Sequence, residues 1–274
     1  YTGCLSEAAY FIASEGEAAI IDPLRDTDVY VQMAAERGVK IKYIFETHFH
    51  ADFVSGHIDL SKKTGATIVY GPNTNASYKV YVAKDGEDFT IGKLKMTVLH
   101  TPGHTLESSC FLLHDEAGVP NCVFTGDTLF VGDVGRPDLF SGNLSKEELA
   151  GMMYDSLNAK IKPLDDSIIV YPGHGPGSSC GKNLGPETFS TMGAQRATNY
   201  ALKDMSKDDF IKAVTTGLNA PPAYFPLNAR INKEGYESMD EVYSKGMRAL
   251  SVAQFKEKMK EDTWILDTRQ STVF

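Results

Sequence analysis

The sequence predicts an α/β chain built as two sheets with helices outside them, an αββα sandwich. Three observations carry that reading. Short apolar runs bounded by Gly, Pro and Asp recur from residue 8 to residue 171 and read as strands. Stretches with helical spacing fall between them, at 26–37, 55–65 and 145–159. The two do not alternate strictly, so a single doubly wound sheet is a poorer description than two sheets.

The elements follow in chain order. Ala8-Ala9-Tyr10-Phe11-Ile12 and Ala18-Ala19-Ile20-Ile21 flank the turn Glu15-Gly16-Glu17 as a hairpin, and the second run ends at Asp22-Pro23. Val29, Met33 and Ala34 share a helical face, with Asp26 and Asp28 suiting its N-terminal end and Gly38 its C-terminal cap. Ile41 to Phe45 is a strand running into Glu46-Thr47-His48, and a helix over 55–65 closes at Gly65. Thr67–Tyr70, Phe89–Ile91, Leu94–Leu99, Cys110–Leu113, Cys122–Thr125 and Ile168–Tyr171 are further strands. Ser145 with Glu148 three residues on is a capping-box pattern for the helix at 145–159. Leu202, Met205, Phe210, Ile211 and Val214 predict a helix over 200–217, ended by Ala220-Pro221-Pro222.

Composition removes several classes of function. In 274 residues, no apolar run approaches the roughly 20 needed to cross a bilayer as a helix. The formal charge is −9 and basic stretches are absent, so nucleic acid is excluded as an expected partner, as is a membrane. Cys4, Cys110, Cys122 and Cys180 form no CxxC pair and no disulfide framework. With no secretory pattern at the start of the chain, this points to a reducing, cytoplasmic-type compartment. Cys110 and Cys122 fall in strand patterns and are expected in the core; Cys4 carries no signal.

The histidines carry the chemistry. His48 and His50 follow the strand ending at Phe45, His104 the one ending at Leu99, and His174 the one ending at Tyr171; Asp127 follows the strand ending at Thr125. Each polar residue leaves a strand through a Gly- or Pro-shaped turn, where rigid scaffolds tend to carry their sites. A lone loop histidine is an ordinary surface residue, but His-Phe-His-Ala-Asp, Thr-Pro-Gly-His-Thr, Thr-Gly-Asp-Thr and Tyr-Pro-Gly-His-Gly in one chain are a set.

That set resembles the metallo-β-lactamase superfamily, whose pattern is H-x-H-x-D-H followed by a distant His, a distant Asp and a final His. The resemblance implies an αββα sandwich with metal in the groove between the sheets. In a two-metal member the pattern would give His48, His50 and His104 to one ion, and Asp52, residue 53 and His174 to the other, with Asp127 shared. Here residue 53 is Phe, which has no lone pair to donate. One metal per chain is therefore expected. His48, His104 and Asp127 make the two-His-one-carboxylate set of non-haem Fe(II) oxygenases. Inclusion of His50 would make a set that suits Zn²⁺ equally. His57 is expected to be an ordinary helix histidine.

Three stretches are similar to the persulfide dioxygenases fused to rhodanese domains: Thr47-His-Phe-His-Ala-Asp-Phe-Val-Ser-Gly-His57, Gly126-Asp-Thr-Leu-Phe-Val-Gly-Asp-Val-Gly-Arg-Pro-Asp-Leu139, and His174-Gly-Pro-Gly-Ser-Ser-Cys-Gly-Lys182. The resemblance implies one Fe(II), held by His48, His104 and Asp127, that uses O₂ to oxidise the terminal sulfur of a low-molecular-weight persulfide such as glutathione persulfide to sulfite. Two reactants gathered at one metal become effectively intramolecular partners. His50, Asp52 and His174 are then polar neighbours that orient ligands or water. Arg136 is a candidate partner for a substrate carboxylate, with a loop-bracing salt bridge as the alternative. Tyr171 is a candidate at the site's edge or a core tyrosine. Cys180 is a candidate sulfur acceptor that would direct product toward thiosulfate, or a buried, inert thiol.

The expected organisation is a catalytic domain over 1–232, a connector over 233–249, and the start of a rhodanese-like domain over 250–274, with a helix from Leu250 and a strand from Thr263 to Arg269 that ends in Asp-x-Arg. A whole rhodanese domain needs roughly a hundred more residues, so the second part reads as a fragment. A homodimer is the expected assembly, by resemblance. Two other functions compete with the dioxygenase. One is a glyoxalase II-like thiolester hydrolase using metal-bound hydroxide, which Phe53 disfavours. The other is a non-catalytic sulfur-carrier module using Cys180, which would need no open metal site.

Overall fold

The computed structural model describes residues 2, 5–139, 144–182, 184–260, 262–270 and 272; Cys4 lies outside them. Contacts divide the chain into two units, Tyr1–Tyr236 and Glu237–Phe274.

The first unit is the αββα sandwich. Strands β1 (Tyr10–Ser14) and β2 (Glu17–Ile21) form the expected hairpin, helix α1 (Asp28–Arg37) ends at Gly38 in the left-handed region, and β3 (Lys40–Phe45), α2 (His57–Thr64), β4 (Thr67–Tyr70) and β5 (Tyr81–Val82) follow. The second sheet uses β6 (Asp88–Ile91), β7 (Leu94–His100), β8 (Ser109–His114) and β9 (Pro120–Gly126); after α3 (Lys146–Ser156) come β10 (Ile169–Pro172) and β11 (Ser190–Thr191). Helices α4 (Met192–Thr198), α5 (Lys207–Thr215) and α6 (Phe225–Glu234) complete the unit. The sheets are ordered β1-β2-β3-β4-β5 and β11-β10-β9-β8-β7-β6. β2, β3, β4 and β5 pair in parallel, as do β9 and β10; the other neighbours are antiparallel.

Alternation along the strands explains why their sequences are apolar throughout. In β2, Ala19 and Ile21 join Phe45, Val98, Phe111 and Phe124 between the sheets, whereas Ala18 and Ile20 face Tyr30, Ala34 and Leu60 of the outer helices. Likewise Val123 and Val170 meet Met153, Phe210 and Val214 of α3 and α5. Strands covered on both faces read as continuous apolar runs.

Several local expectations are corrected. The helix expected over 200–217 is a short 3-10 turn at Tyr200–Leu202 followed by α5, because Ser206 caps α5 by accepting from the Asp209 amide. The helix expected to run to 159 stays α-helical only to Ser156 and continues as a π turn over Leu157–Ile161. The pieces β5, β11, α4 and α6 are not among the elements expected from the sequence.

In the second unit, α7 (Met239–Gly246) and α8 (Val252–Lys258) each start with a capping box, Ser238 with Glu241 and Ser251 with Gln254. The expected connector is thus partly helical. The strand expected over Thr263–Arg269 is not formed: the described residues there have no ladder partner, and Trp264 is 96% exposed. A strand needs a neighbour for its backbone groups.

Candidate metal centre

Topology brings the polar residues to one edge of the sandwich. β2 and β3 run in parallel, and so do β9 and β10, with β7 aligned to β9 through the antiparallel β8. Their exits carry Asp22, the segment 46–52, His104, Asp127 and His174. Gly126 turns the chain at φ +49°, and a Cβ there would meet Thr47 at 2.6 Å. At Gly135 a Cβ would lie 2.1 Å from the Asp127 carbonyl and 3.0 Å from His104 Nδ1, so only glycine lets that loop close over the site.

His48, His104 and Asp127 converge, with ligand atoms within 4.8 Å of one another. His48 Nε2 is 3.9 Å and His104 Nε2 is 3.6 Å from Asp127 Oδ2. The tautomers follow from their neighbours. The Thr47 hydroxyl donates its one proton to Asp22 Oδ2 at 2.8 Å, so at 2.9 Å it accepts from His48 Nδ1–H. His104 Nδ1–H donates to the Arg136 carbonyl at 2.8 Å. In its neutral form each imidazole therefore presents a bare Nε2 lone pair. Asp127 Oδ2 is buried and has no hydrogen-bond partner. Two unprotonated nitrogens facing an orphaned carboxylate oxygen fit a divalent cation. Burial, with the neighbouring His50, holds the His48 imidazole well below its usual range and so neutral. The Asp127 carboxyl is held below its usual range despite burial, through His174, His48 and His104.

His174 stands between two carboxylates. Its Nδ1 is 2.8 Å from Asp127 Oδ1 and its Nε2 is 2.8 Å from Asp52 Oδ2. Burial opposes its charge, but these two acids raise it well above the usual histidine range, so both nitrogens donate. Cys180 adjoins this pair, with its sulfur within 4.8 Å of ligand atoms of Asp52 and His174. Cys180 is buried, and burial followed by the two acids pushes its thiol up. It is a thiol rather than a thiolate at neutral pH, which makes it a poor nucleophile.

His50 does not join His48 and His104. Its Nε2 lies 3.1 Å from Asp22 Oδ1 and 3.9 Å from Glu46 Oε2, and its ring packs 4.5 Å from that of Phe53. Despite burial, Asp22 lifts its pKa to about 10, and a protonated imidazole offers no lone pair. His57 begins α2, fully buried, with Nε2 2.6 Å from the Tyr78 hydroxyl and Nδ1 3.6 Å from Glu46. Burial lowers it to about 3, in keeping with a core histidine.

Arg136 and Tyr171 are both engaged by their neighbours. Arg136 is 6% exposed and its guanidinium is engaged by Asp138 at 2.7 and 2.9 Å and by the carbonyls of Ser179 and Asn219. It braces the loops through these partners, and it also lines a polar cavity of about 720 Å³. Tyr171 follows Val170 in β10, so alternation turns it between the sheets, where its ring stacks on Phe124 at 5.5 Å and meets Tyr10 at 5.4 Å. Cys110 and Cys122 are buried in the core as expected.

Sequence reasoning missed Asp22, Glu7 and Asn232. Asp22 had a signal, since it leaves β2 as the other site residues leave their strands. Glu7 had none: it is 1% exposed, both its carboxyl oxygens lack partners, and burial raises it to about 8.

Comparison with known proteins agrees with this geometry. The metallo-beta-lactamase superfamily matches residues 2–174, and the chain belongs to that superfamily. A probable hydroxyacylglutathione hydrolase, glo2 of Schizosaccharomyces pombe, is 35% identical over 57% of this chain and 58% of its own. The chain spans 58% to 66% of the length of this and the next curated relatives it matches. The crystal structure of a metallo-beta-lactamase from Staphylococcus aureus superposes with a TM-score of 0.79 at 40% identity, over 87% of this chain and 71% of that one. That of ETHE1 from Myxococcus xanthus does so at 0.70 and 31% identity, over 85% and 97%. Among the described residues no helix is long and apolar enough to cross a membrane.

Proposed function

We propose that the chain is a mononuclear, iron-dependent persulfide dioxygenase. The reaction is RSSH + O₂ + H₂O → RSH + SO₃²⁻ + 2H⁺, in which the outer sulfur is oxidised, O₂ is reduced and the S–S bond breaks. The observation that carries this reading is the donor set: two bare imidazole nitrogens and one orphaned carboxylate oxygen, with His50 turned to Asp22 and Phe53 in place of a further donor. Fe(II) at such a set supplies redox chemistry toward O₂ with positions left for substrate. The likeness to ETHE1 fits this branch of the superfamily.

The chain's own residues supply the rest. The Arg136 carbonyl and the Thr47 hydroxyl keep His104 and His48 in the tautomers that leave Nε2 open. The Asp127–His174–Asp52 chain holds a proton on His174 beside the centre, and the thiol of Cys180 lies next to it. A cavity of about 110 Å³ lined by Leu5, Ser178 and Tyr224 touches this hydrogen-bonded chain at Asp52. A larger polar one, about 720 Å³, shares Ser178 and Ser179 with it. On this reading the two cavities take the body of a small thiol such as glutathione. Cys180 as a relay toward thiosulfate belongs to the same reading, as does a rhodanese-like identity for the residues after 250. With its thiol buried and protonated, Cys180 gives the non-catalytic carrier alternative little support, and to act as a relay it would first have to give up that proton.

A zinc-dependent thiolester hydrolase is the second reading, favoured by the curated relatives named hydroxyacylglutathione hydrolase. Metal analysis of anaerobically purified protein, followed by O₂ uptake with glutathione persulfide and by cleavage of a glutathione thiolester, separates the two. We expect one iron per chain and stoichiometric O₂ uptake. Thiolester cleavage without O₂ uptake would overturn the proposal in favour of the hydrolase.

A further inference from the structure

The segment from Glu46 to Gly56 is irregular, yet it carries both His48 and Asp52. Its backbone is held from outside itself. The Thr47 amide donates to Asp22 Oδ1 at 2.8 Å, the Phe49 amide to Glu107 Oε1 at 3.0 Å and the Gly56 amide to the Pro23 carbonyl at 2.8 Å. Three further backbone groups converge on one side chain of α6. Asn232 Nδ2 donates to the carbonyls of His50 and Phe53, both at 2.7 Å, and its Oδ1 accepts from the Ser55 amide at 2.9 Å. Asn232 is fully buried. Three backbone groups of an irregular loop are thus satisfied by one amide, which uses both its hydrogens and its oxygen. Just beyond α6, the Tyr236 hydroxyl donates to the Ser55 carbonyl and accepts from the Ile58 amide at 3.1 Å.

We infer that Asn232 is a positioning residue of the metal centre: it fixes the His50–Ser55 backbone and thereby sets where His48 and Asp52 stand relative to His104 and Asp127. Residue 232 lies outside the segment that matches the superfamily, which ends at residue 174, so α6, the last helix of the first unit, is part of the centre's construction in this chain. The inference rests on reading His48, His104 and Asp127 as the ligands. Asn232→Asp keeps the acceptor for the Ser55 amide but replaces the donor by a charged oxygen facing two carbonyls. Asn232→Ala removes all three contacts and leaves those groups unsatisfied.

The test is Co²⁺ binding to the full chain, read by its visible absorption and by competition with a chelator, beside thermal unfolding. Tyr78→Phe is the control: it removes the hydroxyl that donates to the Asn232 carbonyl at 2.6 Å and contacts His57, and leaves the loop contacts in place. Both Asn232 variants are expected to bind Co²⁺ about 10–100-fold more weakly, as loss of outer partners of metal ligands does, and to show a changed spectrum. Tyr78→Phe is expected to lower Tm with the affinity and spectrum of the unaltered protein. If Asn232→Ala does not fold, Asn232→Asp carries the test. An Asn232→Asp protein with unaltered affinity and spectrum, or a Tyr78→Phe protein weakened equally, would overturn the inference. Failure of the unaltered protein to bind Co²⁺ would instead sink the ligand assignment beneath it.

Discussion

Two of the histidine–carboxylate clusters at the strand exits share Asp127 but are finished differently. In the first, each imidazole spends its Nδ1–H on a neighbour, and Asp127 Oδ2 has no partner, so three donor atoms are left open. In the second, both nitrogens of His174 are already bonded to carboxylates. On the proposed reading, open atoms in the one and closed atoms in the other give a centre for a single ion with a charged hydrogen-bond network at its side. The presence of ligand-type residues does not by itself make a metal site; what their other atoms bond to decides it.

The contrast is tested most severely at the shared residue and its partner. Asp127→Ala removes a ligand and should abolish metal retention, a loss beyond the ~100-fold ceiling usual for outer-shell partners. His174→Gln should leave one metal per chain and weaken its binding by about 10–100-fold. Elemental analysis and chelator competition read both, and equal losses would erase the distinction between the clusters. Phe53→His restores the donor that the superfamily pattern carries there. Metal content should then rise from one toward two ions per chain, with the second ion lost first on dialysis. A content that stays at one would mean that the His174 network, rather than Phe53, closes the second position.

The smallest expected effect concerns Glu7, which faces the closed cluster. Its carboxyl is raised to about 8, chiefly by burial. Below pH 4.5 it is protonated both folded and unfolded and costs nothing. Between pH 4.5 and about 8 the unfolded chain releases the proton and the folded chain keeps it, so stability falls as pH rises. Glu7→Gln should therefore match the parent protein in Tm near pH 4.5 and exceed it increasingly toward pH 8. A constant offset across that range would show that Glu7 does not carry this proton.

Much of this architecture was legible in the residues because it rests on local chemistry. Runs such as Ala18–Ile21 and Ile41–Phe45 must be buried on both faces, and capping signals such as Ser145 with Glu148 act within one turn. The break at Ser206 that separates the 3-10 turn from α5 was also local, but the apolar spacing of Leu202, Met205 and Phe210 masked it. At the other end of the chain, the apolar run Trp264-Ile265-Leu266 has strand composition and no strand, because pairing is a property of two segments.

The sequence by itself determined the set of polar residues at the strand exits, and through Phe53 the loss of one donor. Tertiary structure decided what each of them does. It turned His50 toward Asp22, closed Arg136 on Asp138, and put Tyr171 between the sheets. It also brought Glu7 and Asn232 to the centre from the two ends of the first unit. The physical reason is that a ligand's role depends on where its remaining lone pairs and protons are satisfied. Those partners come from segments far away in the chain, which no local spacing encodes.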